Sequence, residues 1–432
     1  MKKFFIPTFF FLVVFQFGLA QRELIHAYPS KLGLDSLFIV QKVDSIMQLG
    51  IKEQAFPGAQ LLVAKNDTVV FHEAYGFHTY DSLQPVALND LYDLASVTKI
   101  LGPLPALMKL VDEGKLDLDK PFSTYWKPWR NRKDKKDLTL REILSHQAGL
   151  IPYIVFLQKV IRKGKLKPRF VRTAPSKRFE TEVYDHLYIN RRFERKMNRM
   201  INRSKVSDEK KYVYSGLSFL IYPSLIEQLT QTDYQTYLHD NFYEPLGCHT
   251  LGYLPNLMHL VNPIVPTEND SIFRKTVVKG WVHDENAALK GGVSGNAGLF
   301  GTADDLAKMM LFYENYGAVD GEQLISKETV KEFTTVQYPE NENRRGLGFD
   351  KPLLDNAELP LQEAYPSPLA SAASFGHSGF TGTFVWADPE NKLVFIFLSN
   401  RAYPSRDHRN LYDLNIRTAL MDVFYRAQFT NP

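Results

Sequence analysis

At 432 residues, 44% of them hydrophobic and including 30 Phe and 22 Tyr, the chain carries enough apolar material for a large core, which excludes disorder for its bulk. A net charge of +4 is too mild to point to nucleic acid. The single cysteine, Cys248, rules out an intramolecular disulfide framework, a cysteine-based zinc site and a redox pair.

The N-terminus reads as a processing segment. Lys2 and Lys3 precede an apolar run over residues 4–17, and Gly18, Leu19 and Ala20 follow it. A positive start, a short apolar stretch and small residues before the cut match a secretory signal over residues 1–20, with cleavage expected after Ala20. The run is short for a membrane span of about 20 residues. No cysteine follows it for lipid attachment, and no later apolar stretch is long enough to span. The mature chain, residues 21–432, is therefore expected to be exported, periplasmic or secreted, as one domain with no stable membrane span.

Residues 57–75 alternate around Lys65, Asn66 and Asp67, which predicts a β-hairpin with a polar turn. A helical pattern opens at Ser96 and runs through Ile100, Leu104, Leu107, Met108 and Val111 to Gly114. Pro103 and Pro105 inside it predict a kink or a break into two segments. Residues 140–150 read as a helix stopped by Gly149. Residues 162–211 are rich in Arg and Lys, with Arg191, Arg192, Arg195 and Lys196 the densest group. This stretch, about 160–211 in all, reads as a solvated, partly helical insertion in the helical region. A functional version of it would steer an anionic cell-wall polymer or a membrane surface. A long helical pattern follows Tyr214 as far as Tyr237, residues 383–398 form a second hairpin pattern, and residues 411–425 suggest a closing helix. Strands at both chain ends with helices between them predict an α/β domain of the α+β type: an antiparallel sheet completed by the two ends, plus a helical lobe.

Three short strings carry the chemistry. In A-S-V-T-K, residues 95–99, Ser96 and Lys99 stand three apart, so on a helix they share a face and the ammonium reaches the hydroxyl. A serine at a helix N-terminus also exposes its own N–H in the positive end of the dipole. Ser207 to Lys210 fits the same S-x-x-K spacing, but in a polar stretch with no helix behind it. In V-Y-S-G, residues 213–216, Tyr214 needs nearby cations to act as a base, because its free pKa is about 10. In G-H-S-G-F-T-G-T, residues 376–383, Gly379 permits close approach of a substrate to the backbone. A nucleophile elbow at Ser378 fails, since Phe380 stands where the last glycine belongs. His146 and His283 read as structural, and no histidine spacing forms a metal signature.

The order of these strings resembles the serine beta-lactamase and penicillin-binding D,D-peptidase superfamily, most closely its class C-like branch. The resemblance covers roughly residues 56–401 and includes L-S-H-Q-A-G-L, residues 144–150, and G-N-A-G-L-F, residues 295–300. It implies a beta-lactamase/transpeptidase-like fold with Ser96 as nucleophile and Lys99 with Tyr214 as its proton-transfer pair. It also implies a substrate-binding and oxyanion strand at His377, Ser378, Gly379 and Phe380, with the Phe380 N–H as second oxyanion donor. No cofactor and no metal are implied. Gly216 departs from the family's asparagine two residues after the tyrosine, and Asn296 departs from its histidine. His377 in place of lysine leans away from antibiotic hydrolysis. The implied activity is acyl-enzyme hydrolysis of D-amino-acid-containing, cell-wall-type peptides. A small-ester hydrolase, a beta-lactamase, or a catalytically inactive binding protein on the same scaffold are the alternatives.

Overall fold

The computed structural model describes residues 23–427, so the signal-like segment lies outside the described residues. Six strands form the central sheet: β1 (Ile25–His26), β2 (Gly58–Lys65), β3 (Thr68–Gly76), β4 (Phe375–Ser378), β5 (Phe384–Asp388) and β6 (Leu393–Ser399). Their order is β1-β3-β2-β6-β5-β4, antiparallel throughout except for the short β1–β3 pair. The expected hairpin β2–β3 turns at Asn66 and Asp67, both with positive φ (49° and 59°), as a two-residue turn matched to strand twist requires. Seven consecutive pairs join β2 to β6, so the two ends of the chain close one sheet, as expected.

Both faces of that sheet are covered, and the period of two divides its side chains cleanly. Leu61, Val63, Phe384, Trp386, Phe395 and Phe397 face two helices, α1 (Ser36–Lys52) and, at the C-terminal end, α6 (Ile416–Arg426). In α1 the buried residues Ile39, Val43 and Met47 recur every four positions, and the Asp35 side chain caps the helix through the Phe38 N–H. Leu62, Ala64, Val385, Val394, Ile396 and Leu398 face the helical lobe. That lobe is built on α2 (Thr98–Leu101), α3 (Pro103–Asp112), α4 (Tyr222–Thr230) and α5 (Ala303–Glu314).

Several expected helices are shorter than their patterns. The break near the prolines falls at Gly102, leaving Pro103 and Pro105 in the first turn of α3, where a missing N–H is harmless. Residues 140–150 hold a helix only over Leu140–Leu144, because His146 takes the left-handed conformation (φ 58°) well before Gly149. The pattern after Tyr214 divides into a 3-10 turn, α4 and the helix Tyr234–Leu238, broken where Gln231 is left-handed. Asn415 splits the closing helix in the same way. The basic insertion, expected to be partly helical, also holds strands. It holds a short hairpin, a three-stranded sheet over residues 171–189, and the helix Phe193–Arg203. Phe193, Met197 and Ile201 bury its inner face, and the Trp126 and Trp129 indoles both donate to Asn202 Oδ1 (2.8 and 2.9 Å). No helix among the described residues is long and apolar enough to cross a membrane.

Candidate active site

Ser96 sits in a 3-10 turn, Ala95–Val97, directly ahead of α2. The buried Asp93 carboxylate fixes this turn by accepting from the Ala95 N–H (2.8 Å) and the His283 N–H (2.6 Å). These bonds hold Ala95 at φ 44°, a conformation that a side-chain-bearing residue adopts only under constraint. Lys99, one turn on, is buried. Its Nζ donates to Ser96 Oγ at 2.8 Å and to the Asn296 carbonyl at 2.9 Å. Asn296 therefore meets the lysine through its backbone. Its side chain is occupied elsewhere, accepting from Ser294 Oγ (2.8 Å) and donating to Asp284 (3.0 Å).

The Lys99 ammonium lies 5.4 Å from the Tyr214 ring centre. Burial works against its phenolate, but Lys99 and Arg345 outweigh burial and hold the phenol below its usual pKa. The Arg345 guanidinium lies 5.1 Å from the Tyr214 ring centre and pairs with Asp350 at 3.5 Å. Neither residue stands out in sequence. Their only signal is the pair Arg344-Arg345 ahead of Asp350 in a stretch with no helical or strand period. The His146 ring packs 4.6 Å from Tyr214, and its Nδ1 accepts from the Ser215 N–H. Burial, with Arg345 and His377 nearby, keeps His146 well below its ordinary pKa, so it is a neutral wall beside the tyrosine.

The opposite wall is the end of β4. A Cβ on Gly379 would stand 2.6 Å from the Leu94 carbonyl and collide with Thr383 Oγ1, so only glycine permits this approach of strand to turn. Thr381 Oγ1 donates to the Asp93 carbonyl (2.8 Å) and Thr383 Oγ1 to the Leu94 carbonyl (3.1 Å), tying the strand end to the serine turn. These two threonines lie within a motif read from sequence, yet their tethering role is visible only in three dimensions. Among the described residues, the backbone N–H groups of Ser96 and Phe380 have no hydrogen-bond acceptor. His377 is buried on the lobe side of the strand, its ring centre 6.0 Å from that of Tyr214. Burial, then Arg345 and Lys99, push its pKa down to about 3, so it is neutral. Its Nδ1 contacts the Ser378 carbonyl at 2.7 Å.

A cleft of 550 Å³ opens over these groups, lined by Ser96, Lys99, Tyr214, Gly216, Asn296 and Phe380, among others. His377, Ser378 and Gly379 are not in its lining, so that strand meets the cleft through Phe380. A side chain at Gly216 would meet only Lys99 Cε, at 4.0 Å, so glycine there enlarges the cleft and no backbone strain demands it. His283 reaches the cleft as well: it stacks on Phe380 (5.5 Å) and contacts Glu268 at 2.7 Å. The competing Ser207 is exposed and outside the cleft lining, and its Lys210 pairs with Glu142. Among the described residues, Glu182, Asp185 and His186 are close enough to share a metal ion, but they lie on the insertion and outside the cleft lining. A serine joined to an amine and a low-pKa phenol, facing two unengaged N–H donors, is equipped for acyl transfer.

The Beta-lactamase family model matches residues 41–419. A curated protein of Salmonella typhi named "Putative D-alanyl-D-alanine carboxypeptidase" is 30% identical over 413 residues, covering 90% of this chain and 88% of that protein. Among solved structures, a penicillin-binding protein homolog from Caulobacter crescentus is similar with a TM-score of 0.62 at 19% identity, over 90% of this chain and 97% of that one. EstCE1, a hydrolase with promiscuous acyltransferase activity, is similar with a TM-score of 0.63 at 18% identity, over 89% and 98% respectively. With the family match spanning most of the chain and the curated relative covered nearly end to end, this protein belongs to the Beta-lactamase family.

Proposed function

We propose that this protein is an exported serine hydrolase that acts through an acyl-enzyme on Ser96, on D-amino-acid-containing peptides of cell-wall type. The observation that carries the reading is the 2.8 Å contact from Lys99 Nζ to Ser96 Oγ, at the floor of a cleft. Ser96 Oγ attacks the carbonyl carbon, and its proton passes to the Lys99–Tyr214 pair. The carbonyl oxygen becomes an oxyanion between the Ser96 and Phe380 N–H groups, each donor contributing roughly 10²–10³ in rate. As the tetrahedral intermediate collapses, the bond to the leaving nitrogen breaks and the pair returns a proton to it. Water then attacks the acyl-enzyme by the same route and releases Ser96.

The name of the curated relative supports a D,D-peptidase substrate, and His377 in place of lysine supports it over penicillin hydrolysis. A small-ester hydrolase is the second reading. Gly216 favours it, because that wall offers no side-chain amide to a peptide. The test is labelling of the purified protein with a fluorescent fluorophosphonate, followed by turnover of D-Ala-D-Ala peptides, p-nitrophenyl esters and penicillins. Labelling lost in Ser96→Ala, with peptide turnover exceeding ester turnover, is the expected result. Labelling retained in Ser96→Ala would overturn the nucleophile. No labelling of the parent would leave a non-catalytic binding role.

A further inference from the structure

The Ser96 cleft continues past its own rim. A second cavity, of 580 Å³, shares Tyr153, Asp284, Glu285, Asn286 and Arg406 with it and extends outward to an aliphatic wall. Several polar groups at the junction are already engaged within the protein. Arg406 pairs with Glu268 at 2.7 Å and with Glu285 at 2.9 Å, and Asn286 Nδ2 donates to the Ile154 carbonyl at 3.1 Å. Beyond the junction the lining is Ile154, Val155, Leu157, Ile161 and Ile272, with Gln158 the one polar residue among them. Val155 is 42% exposed and Ile272 50%, whereas the aliphatic residues under the sheet are fully buried. Large aliphatic side chains left in water are unremarkable when scattered. Here they line one concavity that opens into a reactive serine, which is the form of a ligand site. The wall is also where the basic insertion begins, with helix Leu157–Val160 leading into strand Ile161–Arg162.

We propose that this groove is a substrate subsite for an apolar chain, carried on either the acyl or the leaving-group side of the scissile bond. The proposal rests on the hydrolase reading of Ser96 and adds to it a preference for substrates that carry an apolar chain beside the scissile bond. The chain takes no part in bond making: the Ser96 Oγ–carbonyl bond forms, the bond to the leaving oxygen or nitrogen breaks, and the Lys99–Tyr214 pair carries the proton across. Burial alone supplies the preference. Each methylene that leaves water fully raises kcat/KM by about fourfold, and less where the groove stays partly open.

The test measures kcat/KM of the mature protein for two ester series from two to ten carbons: p-nitrophenyl alkanoates, and acetates of straight-chain alcohols. At least one series should rise tenfold or more with length, and the responding series identifies which side of the bond enters the groove. In Val155→Asp/Ile272→Asp, and in Ile272→Asp alone should the double variant not fold, the long-to-short ratio should collapse by at least fivefold. Flat profiles in both series of a parent that still labels with fluorophosphonate would overturn the subsite and leave the hydrolase reading intact. A length preference unchanged in the folded variants would overturn it too. A parent that neither labels nor turns over any ester would remove the hydrolase reading and the subsite together.

Discussion

The two faces of the central sheet share strands and alternation but not contents. Under α1 and α6 the sheet buries Leu61, Val63, Trp386 and a cluster of phenylalanines, with Phe395 edge-on to Phe384 (5.9 Å) and Phe424 (6.3 Å). Toward the helical lobe the interior holds Lys99, His146, Glu314, Arg345, Asp350 and His377, all buried. A buried ionisable group must be neutralised or paired, and this face shows both solutions: the two histidines are driven neutral, while Arg345 is paired with Asp350. Both faces bury apolar side chains, but the ionisable groups around Ser96 gather on the lobe face, with one sheet joining the two.

Three variants break or sharpen this contrast. The largest effect belongs to Phe395→Ala, which empties a fully buried site on the apolar face. Urea unfolding should show a loss of about 3–5 kcal/mol, while kcat of the folded enzyme stays the same. A changed kcat would show that the faces are coupled.

Glu314 comes next. It ends α5, and neither carboxylate oxygen has a hydrogen-bond partner among the described residues. Burial pushes its pKa up from 4.5 to about 7, against the pull of Lys392. The unfolded chain thus releases this proton first. The contribution is fully present below pH 4.5, falls as pH rises, and is lost above pH 7, by on the order of 3 kcal/mol. Glu314→Gln should flatten that decline, read as a smaller difference in urea midpoint between pH 5 and pH 8.

The smallest effect is electrostatic. Removing the Arg345 charge as Arg345→Met should raise the Tyr214 pKa and move the acid limb of kcat/KM to higher pH, with lower activity along that limb. Recovery at high pH would mark Arg345 as a positioning residue for the phenolate. A uniform loss at every pH would mark it as structural only.

Both hairpins were legible in the sequence because a period of two and paired turn residues are local properties. The Ser96–Lys99 contact was legible because three-residue spacing on a helix translates directly into reach. Helix ends were not. They fall at His146, Gln231 and Asn415, non-glycine residues held left-handed by surroundings that no window of sequence contains. The strands of the insertion, two to four residues each, are too short to show a period. Arg345 acts through space on Tyr214, and Asn296 acts through a carbonyl that any residue would supply, so residue type signals neither role.

The pairing of β2 with β6 also sets an order of events during synthesis. The β2–β3 hairpin is complete early, but the edge of β2 that β6 will cover stays unpaired until residues 393–399 have emerged. Until then the chain presents an apolar strand edge of the kind that pairs with other chains. The Thr381 and Thr383 tethers to the serine turn also join residues nearly three hundred positions apart, so that turn too is fixed only once the later strand is in place. A chain cut short before residue 381 would expose that edge and lack the two threonines that tether the serine turn.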